Sequence, residues 1–161
     1  METLRDMWDA DLERATIGAV LSGGKARYDL LARHLRPGDF WLDGYGALWR
    51  LMGQMPVVDY LAVSRAARAG GLARQGIDEV DLARCVNEWS YRSGALVDAG
   101  FEVDGALVSP DDLAVMLARR VHGLATARRV GMRLQSILRR ALGYDLPVAC
   151  TLEEVKHEQD E

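Results

Sequence analysis

The sequence predicts an all-α fold, a compact orthogonal bundle of about four short helices followed by a long helical hairpin. Three observations lead there. Apolar residues recur at three- and four-residue steps along most of the chain. The segment from Ser109 combines strong helix-start residues, a sustained leucine stripe and a glycine stop. No period-two alternation persists long enough to build a sheet, and no internal repeat or low-complexity segment interrupts the helical pattern.

The elements follow in order. From Leu12, the residues Ala15, Thr16, Ala19 and Val20 mark a narrow apolar stripe. Asp9 or Asp11 suits the cap of this first helix, and Gly23 suits its left-handed stop. "ARYDLLARHL" carries Tyr28, Leu31 and Leu35 on one side of a second helix, which Pro37 and Gly38 end. A third starts near Asp43 or Gly44 in the aromatic-rich "GDFWLDGYGALWRLM". After Pro56, "VVDYLAVSRAARAGG" reads as a fourth, closed by Gly70 and Gly71. "IDEVDLARCVNEWSYRSGALV" is a longer fifth, its period traced imperfectly by Ile77, Val80, Ala83 or Arg84, Asn87 and Tyr91. "DAGFEVDGALV" is a loop or a short hairpin, with Phe101 and Val103 allowing a brief strand.

The last helix has the clearest signals. Ser109, Pro110, Asp111 and Asp112 supply a side-chain cap, a residue needing no amide partner, and negative charge at the positive helix end. Leu113, Leu117, Val121, Leu124, Leu134, Leu138 and Leu142 then keep one stripe up to Gly143. Beyond Pro147 the chain shows a capping pattern at Thr151 to Glu154 and an acidic finish that reads as a natural end. Three regions result: a globular bundle over 1–75, a hairpin with an inserted loop over 76–143, and an acidic tail over 144–161.

The 161 residues are 49% hydrophobic and 27% charged, the composition of an ordinary globular domain. A formal net charge of -4 argues against a chain that lives by wrapping nucleic acid. There is neither a signal peptide nor an apolar run of about eighteen residues, so a cytoplasmic protein without a membrane partner is expected. Cys85 and Cys150 form no CxxC and read as free thiols of a reducing compartment.

Catalytic patterns are weak. "GAVLSGGKAR" suggests a phosphate loop, but Gly18 lies one residue too far from Gly24-Lys25. Ala26 has no hydroxyl for magnesium, and an amphipathic helix precedes the loop where a strand is required. The glycines fit a chain reversal, and Lys25 a solvated turn. His34, His122 and His157 share no helix face with a second ligand at metal spacing. The serines lack a nucleophile elbow, and Asp78, Glu79 and Asp81 suit a helix start for structural reasons alone. No enzyme activity, metal or cofactor is expected. Phe40, Trp41, Tyr45, Trp49 and Trp89 read as core, since Phe40, Trp41 and Trp49 are not interleaved with basic residues.

At about 100° per residue, the last helix places Arg119, His122, Arg129, Arg133 and Arg140 opposite its apolar stripe. Such a face suits an acidic partner or nucleic-acid phosphates, and a merely solvated face is its ordinary fate. Arg120, Arg128 and Arg139 lie nearer the stripe's edge, where their stems cover apolar surface. Gly123, Ala127 and Gly131 recur at four-residue spacing. With Leu117, Val121, Leu124 and Leu134 they form a candidate seam for helix packing, within the chain or between subunits.

Taken together, "ATIGAVLSGG", "LRPGDFWLDGYGALWRLM" and "PVVDYLAVSRAARAGG" resemble, in order and spacing, the N-terminal domain of DnaB-type replicative helicases. The closing helix, "SPDDLAVMLARRVHGLATARRVGMRLQSIL", is similar to that family's hairpin segment, with Ala118 and Val121 in its pattern. Tyr45 stands where members often carry histidine and Ala62 where threonine is usual. Residues 72–108 are longer than in the family, and the chain carries no Walker motif. The resemblance implies a non-enzymatic module that forms a homodimer or higher homo-oligomer. It also implies binding to a replicative helicase, a primase or a loader protein, to modulate DNA replication. The alternative is a small helical nucleic-acid-binding regulator that uses the arginine face.

Overall fold

The computed structural model describes residues 9–99, 102–103 and 106–143. Phe101, the acidic segment 144–161, Cys150 and the Thr151 capping pattern lie outside the described residues. The elements are α1 (Ala10–Leu31), α2 (Asp43–Gln54), α3 (Tyr60–Ala69), α4 (Glu79–Ala99), β1 (Glu102–Val103), β2 (Ala106–Leu107) and α5 (Pro110–Leu142). Short 3-10 turns at Pro37–Asp39 and Leu72–Gln75 join helices. The two strands pair antiparallel, Glu102 opposite Leu107 and Val103 opposite Ala106, so the hairpin form of "DAGFEVDGALV" is the one adopted. The fold is all-α. Residues Ala10–His122 make one compact unit, and α5 from Gly123 onward belongs to a second.

The first half of α1 is the central element of the larger unit. Its expected stripe is buried, but so are Glu13, Ile17, Gly18 and Leu21, so this segment is enclosed on nearly every side. It packs chiefly against α4. The approach is close because Gly18 has no side chain: a Cβ there would meet the Cys85 carbonyl and the Trp89 Cβ. This contact also selects the buried face of α4, which runs Leu82, Cys85, Trp89. Of the expected period of that helix, Ile77 is buried, whereas Val80 and Tyr91 are 62% and 76% exposed. Trp89 is buried as expected, but the period drawn through Val80 and Tyr91 missed Leu82 and Cys85 on the same face.

The first helix breaks at Gly24, one residue past the expected stop at Gly23, and the second expected helix follows it as a separate helical segment. Gly24 adopts φ 79°, ψ -167°, a conformation essentially confined to glycine, and the chain continues after the kink through Tyr28 and Leu31. Tyr28, Leu31 and Leu35 are all buried, as the period predicts. Tyr28 stacks obliquely on Trp49 at 4.7 Å between centroids, and Phe40 lies 5.4 Å from Trp49 and 6.4 Å from Tyr45. Burying Trp49, Tyr45, Leu48 and Met52 of α2 stabilises the bundle by about 1.5–3 kcal/mol for each large side chain. Trp41 departs from the expected core and is 47% exposed.

Helix ends are satisfied partly by local and partly by distant groups. Asp59 accepts the Ala62 amide at 2.7 Å, and Asp78 the Asp81 amide at 2.8 Å. At α5, Ser109 Oγ accepts the Asp112 amide at 3.1 Å while Asp112 accepts the Ser109 amide at 3.3 Å, a reciprocal box. Gly143 follows α5 at φ 65°. By contrast, Leu42 gives α2 no side-chain cap. The buried Glu13 carboxylate of α1 instead anchors the residues leading into α2, accepting the Trp41 amide at 2.7 Å and the Leu42 amide at 3.5 Å. Lys25 serves the other end of α2: Nζ donates to the Met52 and Gly53 carbonyls at 3.4 and 3.2 Å and pairs with Asp29 at 3.6 Å. The lysine expected as a solvated turn residue therefore closes a helix.

Candidate functional site

The turn that ends α1 carries Arg33, His34, Leu35 and Arg36, and the following 3-10 turn carries Asp39. Asp39 is completely buried. Its Oδ2 accepts the Arg36 amide at 2.9 Å and lies 3.0 Å from Nδ1 of His122 on α5. The carboxylate thus fixes both the turn and one edge of the imidazole. Arg119 lies one turn earlier on α5, and the six residues Arg33, His34, Leu35, Arg36, Arg119 and His122 line an open cleft of about 420 Å³. Arg33, Arg36, Arg119 and His122 are exposed.

Of the predicted α5 face, the structure gathers Arg119 and His122 at this cleft. Arg129, Arg133 and Arg140 are exposed on the part of α5 in the second unit. Arg128 is buried. Along the predicted seam, Leu117, Val121, Leu124 and Gly131 are buried, Ala127 and Leu134 are half-buried, and Gly123 is exposed with open space over it. Sequence reasoning missed Arg33, His34 and Arg36, because the partner that completes their surface is more than eighty positions away in the chain. The only local signal was the basic run "ARHLRPG".

A second polar group lies between α1, α2 and α4. Tyr45 Oη donates to Asp81 Oδ1 at 3.2 Å, and Cys85 Sγ approaches the same hydroxyl at 3.7 Å. Burial pushes the Cys85 thiol up to about 12 and raises the Tyr45 phenol as well. Burial also raises Asp81, against the pull of the Tyr45 hydrogen bond and the Arg14 charge. Arg14 loses solvation but is held charged by the Asp11 and Asp81 carboxylates, with Asp11 hydrogen-bonded at 3.0 Å. Arg14 Nε and Asp81 Oδ2 are buried without a hydrogen-bond partner among the described residues. A thiol held protonated is a poor nucleophile, so this cluster is suited to fixing helices against one another.

A smaller hollow of about 300 Å³ lies between α3, the Leu72–Gln75 turn and the start of α4, lined by Ser64, Arg68, Ile77 and Asp78 among others. Among the described residues, no group of three or more His, Cys, Asp or Glu side chains is placed to hold a metal ion. No described helix is long and apolar enough to cross a membrane.

Neither a known protein family nor a curated protein matches the sequence. A solved structure does match: the N-terminal domain of DnaB helicase from Mycobacterium tuberculosis, with a TM-score of 0.60 over 94% of both chains at 20% identity. The fold is that of a DnaB N-terminal domain. At this identity the likeness lies in architecture rather than in shared side chains.

Proposed function

We propose that the chain is a non-enzymatic protein–protein interaction module that self-associates and binds a replicative helicase, a primase or a helicase loader, modulating DNA replication in the cytoplasm. The observation that carries this reading is the DnaB N-terminal fold over 94% of both chains. In this reading, residues 1–75 are the globular bundle, 76–143 the hairpin element and 144–161 an acidic tail. Val130, Met132, Ile137 and Leu142 of α5 are 48–56% exposed and offer apolar surface to a second helix.

The test is light scattering of the purified chain, combined with capture of purified helicase and primase from the source cell. Association with itself and with at least one of these proteins is expected, with modest salt dependence. A monomer that ignores both proteins defeats the reading.

A second reading, a nucleic-acid-binding regulator, is favoured by the exposure of Arg119, Arg129, Arg133 and Arg140 on one helix. It demands steep salt dependence and loss of nucleic-acid binding when Arg129, Arg133 and Arg140 are neutralised. The interaction module instead keeps its self-association in that variant.

A further inference from the structure

The cleft between the end of α1 and the first part of α5 collects three guanidinium groups and two imidazoles, and none of its six lining residues is acidic. Arg33, Arg36 and Arg119 make no side-chain ion pair among the described residues. The nearest carboxylate in the site, Asp39, is fully buried and turned to the Arg36 amide and the His122 ring. On a chain of net charge -4, this is a strong local reversal of sign.

Attraction to the negative end of α1 accounts for Arg33 and Arg36. It does not account for Arg119 and His122, which come from within another helix. Like charges converging on one concavity repel one another more strongly than they would on an open surface. The buried Asp39 contact nevertheless holds His122 there. Such an arrangement is matched by an anion entering the cleft.

We propose that this cleft binds a phosphate group, presented either by a free phosphate compound or by the backbone of a single-stranded nucleic acid. A carboxylate offers two oxygens in one plane, which one guanidinium fork satisfies. A phosphate offers acceptors in three dimensions and engages several forks and an imidazole together. The volume, about 420 Å³, lies within the roughly 300–1,000 Å³ of small-ligand clefts. The site is independent of whether the chain docks a helicase or primase, so either idea can fail alone.

The experiment measures binding of a fluorescein-labelled oligothymidylate by anisotropy, and of pyrophosphate by calorimetry, to the full chain at low salt. Arg33→Gln/Arg119→Gln is compared with Arg129→Gln/Arg133→Gln, and circular dichroism verifies that each variant is folded. The first variant is expected to weaken phosphate binding about tenfold or more, and the second to leave pyrophosphate binding unchanged. If the strand is the source, the oligonucleotide binds, and its salt slope falls by about 1.4 in the first variant, about 0.7 for each phosphate no longer neutralised. If a free compound is the source, pyrophosphate binds and the oligonucleotide does not. Wild-type protein that ignores both probes, or binding unchanged by Arg33→Gln/Arg119→Gln, overturns the proposal. So does a cleft that poly-glutamate occupies and pyrophosphate does not, which would make the ligand an acidic protein.

Discussion

The Arg27 guanidinium holds the Asp111 carboxylate at 2.9 Å, tying the second half of α1 to the first turn of α5. The same side chain donates to the Ala19 carbonyl at 2.9 Å, across the kink at Gly24, and lies 5.3 Å from the centroid of the Trp89 ring. One residue therefore touches three elements. Arg27→Ala is expected to lower stability by about 2 kcal/mol in urea unfolding, from a charge-assisted hydrogen bond and a cation–π contact. Asp111→Ala costs less than about 1 kcal/mol, because that partner is 60% exposed. Equal losses in the two variants would show that the Ala19 and Trp89 contacts contribute nothing.

Gly18 and Gly123 make an opposed pair. A methyl group at Gly18 meets the Cys85 backbone, which cannot rotate away, so Gly18→Ala is expected to cost about 3 kcal/mol or more. Gly123 has no atom within 4 Å of a built Cβ, and its alanine variant gains up to about 1 kcal/mol from helix propensity. Thermal melts compare the two. If Gly123 lies in a self-association seam, light scattering will also find its variant less associated.

Cys85 gives a pH signature. Its thiol ordinarily ionises near 9 and is pushed up to about 12 by burial, the Tyr45 hydrogen bond only partly opposing this. Between these values the unfolded chain loses the proton and the folded chain keeps it. The contribution is therefore fully present below about pH 9 and is lost as pH rises toward about 12. In a Cys150→Ser background, the Cys85 thiol should ignore Ellman's reagent at pH 8 until denaturant is added. Rapid labelling of the native protein would show that the α1–α4 contact opens.

Glu13 is 1% exposed and anchors the residues leading into α2 with both carboxylate oxygens. Glu13→Ala leaves the Trp41 and Leu42 amides without this acceptor and is expected to cost about 3 kcal/mol. Glu13→Gln retains one acceptor but turns a donor toward the other amide, and an intermediate loss of about 1–2 kcal/mol is expected. Hydrogen exchange at Trp41 and Leu42 checks the assignment, since protection at these amides falls first.

Local chemistry made much of the fold readable. Ser109 to Asp112 and Gly143 bound α5 as expected because a cap and a stop act within a few residues. The DnaB-like order of the short helices was legible for the same reason, each being bounded by its own glycine or proline. The break in α1 was legible to within one residue, Gly24 rather than Gly23 taking the non-helical conformation, because adjacent glycines look alike in sequence. The buried face of α4 was legible at Trp89 alone, because the rest of it depends on where Gly18 allows α1 to approach. In the candidate site, Arg119 and His122 were found from helical phase. Arg33, His34 and Arg36 required the Asp39–His122 contact, which only the folded chain brings together.

Lys25 has a practical consequence. It and Lys156 are the only lysines in the sequence, and its ammonium closes the carbonyl end of α2. Acylating that amine removes the charge and the donors together. A Lys156→Arg protein consequently carries a single side-chain amine, and the loss of stability on acylating it measures what the closed end of α2 contributes to the bundle. The residue that first suggested a nucleotide loop thereby becomes a built-in gauge of the bundle's integrity.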